Sequence, residues 1–250
     1  MYLIQGGKKM ENVFGEFVGT AILVIFGCGV VANVSLKGSK GENSGWIVIT
    51  AGWAFAVMLG VFMATSLGAP QGDLNPAVTL AKAMNGVYTP EQAVVTMIAQ
   101  VFGGFVGAII VYLAYLPHWD LTNDPTAKLG VFSTIPAVRS YGKNLLCEFI
   151  ATLMLIGMIF AMFNANNGTF PSGVGPYLVG MLIWALGLSL GGPTGYALNP
   201  ARDLGPRLAH AVLPIPGKGS SDWAYSWVPI VGPMLAGVVA YVFAKAVGII

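Results

Sequence analysis

The stretches Asn75-Pro76-Ala77 and Asn199-Pro200-Ala201 repeat one tripeptide, and each is embedded in very apolar sequence. At ordinary residue frequencies a given tripeptide recurs roughly once in several thousand residues, so a second copy in a similar setting indicates a shared structural role. Asn is a favourable N-cap and Pro suits the first helical position, so each copy predicts the start of a helix. The N-terminus of each helix would carry a side-chain amide.

The composition of the chain predicts an integral membrane protein. Its 250 residues are 56% hydrophobic and only 9% charged, with a mean hydropathy of +0.74, whereas soluble proteins have about 25% charged residues. The net charge of +2 gives no indication of a nucleic-acid partner. Cys28 and Cys147 lie in apolar segments and are expected to be packing residues, so no metal or cofactor is predicted. The histidines His118 and His210 are isolated, which argues against an enzyme.

Several apolar stretches are long enough to cross a hydrocarbon core of about 30 Å. The six predicted spans are 12–35, 45–67, 90–116, 144–165, 174–190 and 225–249. The fifth is short unless residues 191–193 extend it. The first apolar run is too long for a signal peptide and lacks a cleavage pattern, so no signal peptide is expected.

The two Asn-Pro-Ala segments are too short to be spans. Each offers about eleven helical residues, or roughly 16 Å, before a terminator. The terminator is Asn85-Gly86 for the first segment and Pro214 with Pro216 for the second. We therefore expect two re-entrant half-helices whose N-termini meet near the membrane midplane. At the ends of such half-helices the backbone N–H and C=O groups lack helical partners. At membrane depth they are tolerated only where they are buried in protein or line a water-filled cavity. A pore or binding cavity follows.

Internal similarity predicts an inverted repeat within one channel domain, 1–250. The segment 12–17 (NVFGEF) resembles 144–149 (NLLCEF), which divides the chain into halves 10–116 and 143–250. Three spans per half is an odd number, so the second half must be inserted upside down, with the functional site between the halves. Glu16 and Glu148 are equivalent in this repeat and are expected to accept hydrogen bonds from the re-entrant loops; a proton relay is the alternative.

No charged residue occurs from Phe149 to Ala201, and the next two residues are Arg202 and Asp203. One interpretation is an interfacial arginine that extends to water and pairs with its neighbour. The other is a fixed cation at a constriction, where its N–H groups bind hydroxyl or water oxygens and its charge repels cations. Because this arginine belongs to a half-helix, we favour the second.

The run from Gly195 to Asp203, together with the paired half-helices and inverted spans, resembles the major intrinsic protein (aquaporin) family, in its aquaglyceroporin or glycerol-facilitator branch. The resemblance covers essentially the whole chain from about Met10. It implies an all-α aquaporin fold and a homotetramer in the cell membrane with cytoplasmic termini. The loop charges alone favour termini outside, because more cations lie on the opposite side than on the terminal side; we give the resemblance more weight. The cations on the terminal side are Lys8, Lys9, Lys82 and Lys245, and those opposite are Lys37, Lys40, Lys128, Arg139, Lys143, Arg207 and Lys218.

The resemblance also implies which residues form the pore. The selectivity filter would consist of Trp53, Gly187, Tyr196 and Arg202, although Trp53 and Tyr196 alone would suggest membrane-interface anchors. Two aromatic faces would meet the carbon side of a polyol while Arg202 binds its hydroxyls. Asn75 and Asn199, each with its following proline and alanine (Pro76, Ala77, Pro200 and Ala201), would form the midplane. Pore-lining backbone is expected at Gln71, Gly72, Asp73, Leu74, Gly195, Ala197 and Leu198, with Asp203 as a supporting residue.

Asp73 departs from the family pattern. Members commonly carry a histidine two residues before the first Asn, and the stretch from Trp53 to Asn75 is about two residues longer than usual. We expect the Asp73 carboxylate to bond local backbone N–H groups near the helix start. The alternative is a direct role in solute choice or gating.

The predicted function is a passive channel for glycerol and other small uncharged solutes, with some water, that excludes ions and protons. A coupled secondary transporter and a mainly water-conducting channel remain as alternatives. The partners expected are these solutes and membrane lipid. The residues do not choose among glycerol, dihydroxyacetone, urea and an undissociated small acid.

Overall fold

A computed structural model describes the backbone of residues 6–250 and the side chains from Asn12 onward. The predicted charges of Lys8 and Lys9 and the first five residues of the domain therefore lie outside the described part. The described chain forms ten α-helices: α1 (Gly6–Ser35), α2 (Trp46–Ser66), α3 (Pro76–Met84), α4 (Pro90–Ala114), α5 (Leu116–Leu121), α6 (Pro125–Phe132), α7 (Tyr141–Met162), α8 (Val174–Leu190), α9 (Pro200–Val212) and α10 (Val228–Ala246).

The long helices correspond to the predicted spans. Within the described residues, α1, α2, α4, α7 and α10 are long and apolar enough to cross a membrane, and α8 is a shorter apolar helix of 17 residues. The extension of α8 through 191–193 does not form, because the helix ends at Leu190 and Gly191 caps it. The sequence analysis missed α5 and α6, which lie between the third and fourth spans.

The half-helices α3 and α9 contain 9 and 13 residues. Asn75 caps α3 and Asn199 caps α9, and a proline follows each cap at the first helical position. The predicted half-helices are therefore confirmed, and their starts are set by the local chemistry of the repeated tripeptide.

Both half-helices are buried between the two halves of the chain. The first-half α3 packs against α10, and the second-half α9 packs against α4. The α4 helix also packs closely on α1, where a Cβ added at Gly103 would lie 2.2 Å from the Phe17 carbonyl oxygen and one at Gly107 would lie 2.5 Å from that of Ala21. Small residues permit such close helix contact in membranes. The result is an all-α membrane fold of six apolar helices and two re-entrant half-helices.

Candidate functional site

The two half-helices are joined to each other at their N-termini. The Asn75 side-chain amide Nδ2 donates to the Leu198 carbonyl oxygen at 2.8 Å, and the Asn199 Nδ2 donates to the Leu74 carbonyl oxygen at 2.7 Å. The Oδ1 atom of each asparagine accepts the backbone N–H of the alanine in its own tripeptide, at 2.9 Å in both cases. Since an amide nitrogen has two N–H groups, each asparagine keeps one further donor.

The loops before the half-helices are held by two buried glutamates. Glu16 accepts the backbone N–H groups of Asp73 and Leu74 at 2.7 and 2.8 Å. Glu148 accepts those of Ala197 and Leu198, both at 3.0 Å, and the Thr194 hydroxyl at 2.6 Å. The hydrogen bonds expected for both glutamates are therefore present. They satisfy loop backbone that could not reach water inside a membrane.

These loops carry strained backbone. Leu74, Tyr196 and Leu198 have φ values of 52°, 38° and 56°, a left-handed conformation that residues with a side chain rarely adopt. Such strain persists only where the surroundings fix it, and it concentrates at functional sites. Here the glutamate and asparagine hydrogen bonds fix the conformation.

Arg202 lies on Trp53 in a cation–π arrangement. The guanidinium carbon is 4.0 Å from the centre of the Trp53 ring, and Nη1 donates to the Phe132 carbonyl oxygen at 3.2 Å. Arg202 is buried, with 6% of its surface exposed, and its first-turn position in α9 sets it beside the midplane. Asp203 does not pair with it, so the interpretation of an arginine paired with its neighbour is wrong.

Tyr196 occupies the space that the absent side chain of Gly187 leaves open. A Cβ added at Gly187 would lie 2.8 Å from both Cζ and the hydroxyl oxygen of Tyr196. The Trp46 ring packs against the Tyr196 ring at 5.9 Å between centroids and 74° between planes, and its Nε1 donates to the Gly187 carbonyl oxygen at 3.0 Å. Trp46 was not singled out from the sequence.

One cavity joins the N-termini of the half-helices to the predicted filter residues, and we name it the central cavity. About 60 Å³ of it is open to water-sized molecules. The predicted site residues on its wall are Trp53, Asp73, Asn75, Gly195, Tyr196, Ala197, Leu198, Asn199 and Arg202. Apolar side chains from α1, α2, α3, α7 and α8 complete the wall: Leu23, Val57, Val78, Leu155, Ile159, Val179 and Ile183. The wall of the cavity therefore combines polar groups from the half-helices and the loops before them with apolar side chains, most of which come from the spans.

Some predicted site residues lie beside this wall. Gly187 stands behind Tyr196, and the Leu74 carbonyl is turned to Asn199. Gln71 and Gly72 line a second, wider space that adjoins the central cavity. The prolines and alanines of the two tripeptides (Pro76, Ala77, Pro200 and Ala201) are buried in the first turns of the half-helices.

The family described as "Major intrinsic protein" matches residues 4–243. The chain belongs to the major intrinsic protein family. It is 55% identical to the "Probable glycerol uptake facilitator protein" of Thermotoga maritima over 92% of this chain and 96% of that protein. It is 51% identical to the "Glycerol uptake facilitator protein" of Bacillus subtilis, covering 95% of this chain and 85% of that protein.

A solved structure in the same family has the same fold. The X-ray structure of the aquaglyceroporin from Plasmodium falciparum matches 94% of this chain and 95% of its own chain, with a TM-score of 0.82 and 29% identity. The agreement extends over both halves of the chain.

In this major intrinsic protein, Asp203 belongs to a buried network that the sequence analysis missed. Its Oδ1 accepts from Nε of Arg207 at 2.8 Å and lies 2.8 Å from Nη2 in the same ion pair. Its Oδ2 accepts from the backbone N–H and hydroxyl of Thr134 at 2.8 and 2.7 Å. Arg207 also donates to the carbonyl of Thr134 at 3.1 Å. The network fixes the segment that carries the Phe132 carbonyl, which is the acceptor for Arg202.

Asp73 does not bond as predicted. Its carboxylate accepts from three side chains: the Thr79 hydroxyl at 2.9 Å, the Tyr88 hydroxyl at 2.8 Å and the Lys82 ammonium at 2.5 Å. The expectation of local backbone N–H donors is wrong, because Glu16 already accepts the N–H groups of Asp73 and Leu74. The Asp73 side chain is free to turn toward the body of α3.

The wider space beside the central cavity lies on the face where α3 and α10 end, and we name it the terminal-side vestibule. Its lining includes Gln71, Asp73, Lys82 and Asn85 on one side and Ile249 on another. Asp73 lines both the central cavity and the vestibule. It therefore marks the junction between the two spaces.

Proposed function

We propose that this chain is a passive channel for glycerol and other small uncharged solutes, with some water. The observation that carries the proposal is the central cavity, whose wall combines Arg202 and the amides of Asn75 and Asn199 with apolar side chains. A polyol has a hydroxyl edge and a carbon edge, so such a cavity matches both. The printed names of the relatives from Thermotoga maritima and Bacillus subtilis, as glycerol uptake facilitators, support the same solute.

Exclusion of ions follows from the charges at the same site. Arg202 is a permanent cation in the wall of the cavity. The N-termini of α3 and α9 meet at the midplane, and each helix end carries about half a positive charge. Both positive charges repel cations and protons, while the remaining amide N–H groups of Asn75 and Asn199 donate hydrogen bonds to the oxygens of neutral solutes in passing.

We further infer a homotetramer in the cell membrane with cytoplasmic termini and two inverted halves, 10–116 and 143–250. Large apolar side chains such as Phe102 and Phe243, exposed by 60% and 57%, support contact of the outer helix faces with lipid or other subunits. Three of the cations that opposed this orientation have structural partners. Lys218 donates to carbonyls at the end of α9, Lys128 donates to the Pro216 carbonyl, and Arg207 is fully buried.

Stopped-flow light scattering of proteoliposomes tests the proposal. After a glycerol gradient is applied, vesicles with the protein should re-swell faster than protein-free vesicles, without saturation and without dependence on pH. A six-carbon polyol should give no such acceleration. Uptake that saturates and follows an ion gradient would indicate a coupled transporter, and water flux without glycerol flux would indicate a water channel; either result would overturn the proposal.

A further inference from the structure

Asp73 and Lys82 form an ion pair where the terminal-side vestibule meets the central cavity. The Asp73 side chain is fully buried, and the Lys82 side chain remains 17% exposed. Lys82 Nζ lies 2.5 Å from Asp73 Oδ1 and 3.3 Å from the Gln71 carbonyl oxygen. The pair therefore has one member inside the protein and one in contact with the vestibule.

The carboxylate holds the lysine in a fixed position. Asp73 Oδ2 accepts from Thr79 and Tyr88, and Thr79 in turn accepts from the Gln100 amide at 2.9 Å. Lys82 belongs to the last turn of α3, where a cation is favoured by the helix dipole. Both ends of the ion pair are thus anchored to the half-helix that also carries Asn75.

The ammonium group keeps one donor for a solute. It has three N–H groups, and Asp73 and Gln71 accept two of them. Among the described residues that line the vestibule, Lys82 is the one cation. Its charge is balanced by Asp73, so the site favours the oxygen of a neutral molecule over a free anion.

The vestibule around Lys82 is lined by both polar and apolar groups, as the central cavity is. Gln71 and Asn85 add polar groups beside Lys82, whereas Ile159, Phe163 and other apolar side chains form the remaining wall. A solute that leaves bulk water here must replace lost hydration before it passes Asp73. The donor on Lys82 is placed where that replacement is needed.

We propose that Lys82, held by Asp73, is a second solute-binding site of the channel, which binds a hydroxyl or carbonyl oxygen of a small uncharged solute at the inner mouth. This inference rests on the proposed function. It assigns a direct role in solute choice to a residue pair that includes Asp73, the position where the chain departs from its family pattern. The site lies on the opposite side of the midplane from Trp53, Tyr196 and Arg202.

The test compares glycerol and water permeabilities in the same proteoliposomes, so that their ratio is independent of the amount of reconstituted channel. Lys82→Met should lower the glycerol-to-water ratio about two- to tenfold, the range for loss of one solute hydrogen bond. Lys82→Arg keeps the donors and should preserve most of the ratio. Lys245→Met is the matched control, because Lys245 is on α10, contacts Tyr241 and lies outside the vestibule lining.

A second variant separates loss of the solute donor from the structural effect of leaving the Asp73 carboxylate buried without its cation. Asp73→Asn with Lys82→Met removes both charges together and should show the same low ratio as Lys82→Met. A wild-type ratio in this double variant would overturn the binding site, whereas wild-type vesicles no more permeable to glycerol than protein-free ones would overturn the proposed function. The two failures are therefore distinguishable.

Discussion

Gly187→Ala should narrow the filter through Tyr196. The new Cβ would lie 2.8 Å from the Tyr196 ring and from the Thr50 methyl carbon, whereas carbon atoms in contact are separated by about 3.5–4.0 Å, so the ring must shift by roughly 1 Å. Trp46 packs at the edge of the ring and Gly191 lies close behind it. The open direction is the central cavity, and the ring therefore moves into the path of the solute.

The expected loss of glycerol flux in Gly187→Ala can be worked out from the overpacking at Tyr196. Overpacking by one methyl group costs about 1–3 kcal/mol, which corresponds to roughly a five- to 150-fold loss of glycerol flux if the passing solute bears the full cost. Water is smaller and should be affected less, so the glycerol-to-water ratio should fall in stopped-flow measurements.

Gly157→Ala in α7 is the control for this prediction. Gly157→Ala raises the helix propensity by the same amount as Gly187→Ala, but a Cβ at Gly157 would meet nothing within 4 Å. Its permeabilities should equal those of the wild type. An unchanged ratio in Gly187→Ala would refute the view that Gly187 makes room for Tyr196.

Two further substitutions test the fixed charge and the loop support. Arg202→Val should raise the proton leak of proteoliposomes on the order of tenfold because the repelling cation is lost; a vesicle-trapped pH dye measures this, and a wild-type leak would contradict it. Glu148→Ala leaves the buried N–H groups of Ala197 and Leu198 without their acceptor, at about 1–3 kcal/mol each. Its unfolding temperature in detergent should fall clearly below that of Glu42→Ala, a control in the loop between α1 and α2 that also loses a backbone acceptor, for the Gly38 N–H, but near the surface. Equal temperatures would argue against the support role.

The features that were predicted correctly are those that depend on residues close together in the sequence. An asparagine followed by proline specifies a helix start regardless of tertiary context, so both half-helices were predicted. The equivalence of Glu16 and Glu148 was visible because the surrounding six-residue segments resemble each other. Asp124-Pro125 carries the same kind of helix-start signal and begins α6, but the short helix that follows has little apolar pattern.

The hydrogen-bond and ion-pair partners of residues in and around the predicted filter were harder to predict from sequence. Asp203 and Arg207 are four residues apart, a spacing that predicts a helical ion pair, and treating Arg207 as a loop charge hid it. The Phe132 carbonyl lies 70 residues from the arginine that it binds, so no local pattern indicates the contact. The Asp73 donors come from three places along 15 residues of chain, and only the fold brings them together.

The crossed hydrogen bonds at the midplane have a consequence for biosynthesis. Asn75 needs the Leu198 carbonyl and Asn199 needs the Leu74 carbonyl, so neither amide finds its acceptor until residues more than a hundred positions apart have both been made. The first loop can be shaped early, because Glu16 precedes it in the chain. The conducting centre, however, closes only when the second half-helix arrives.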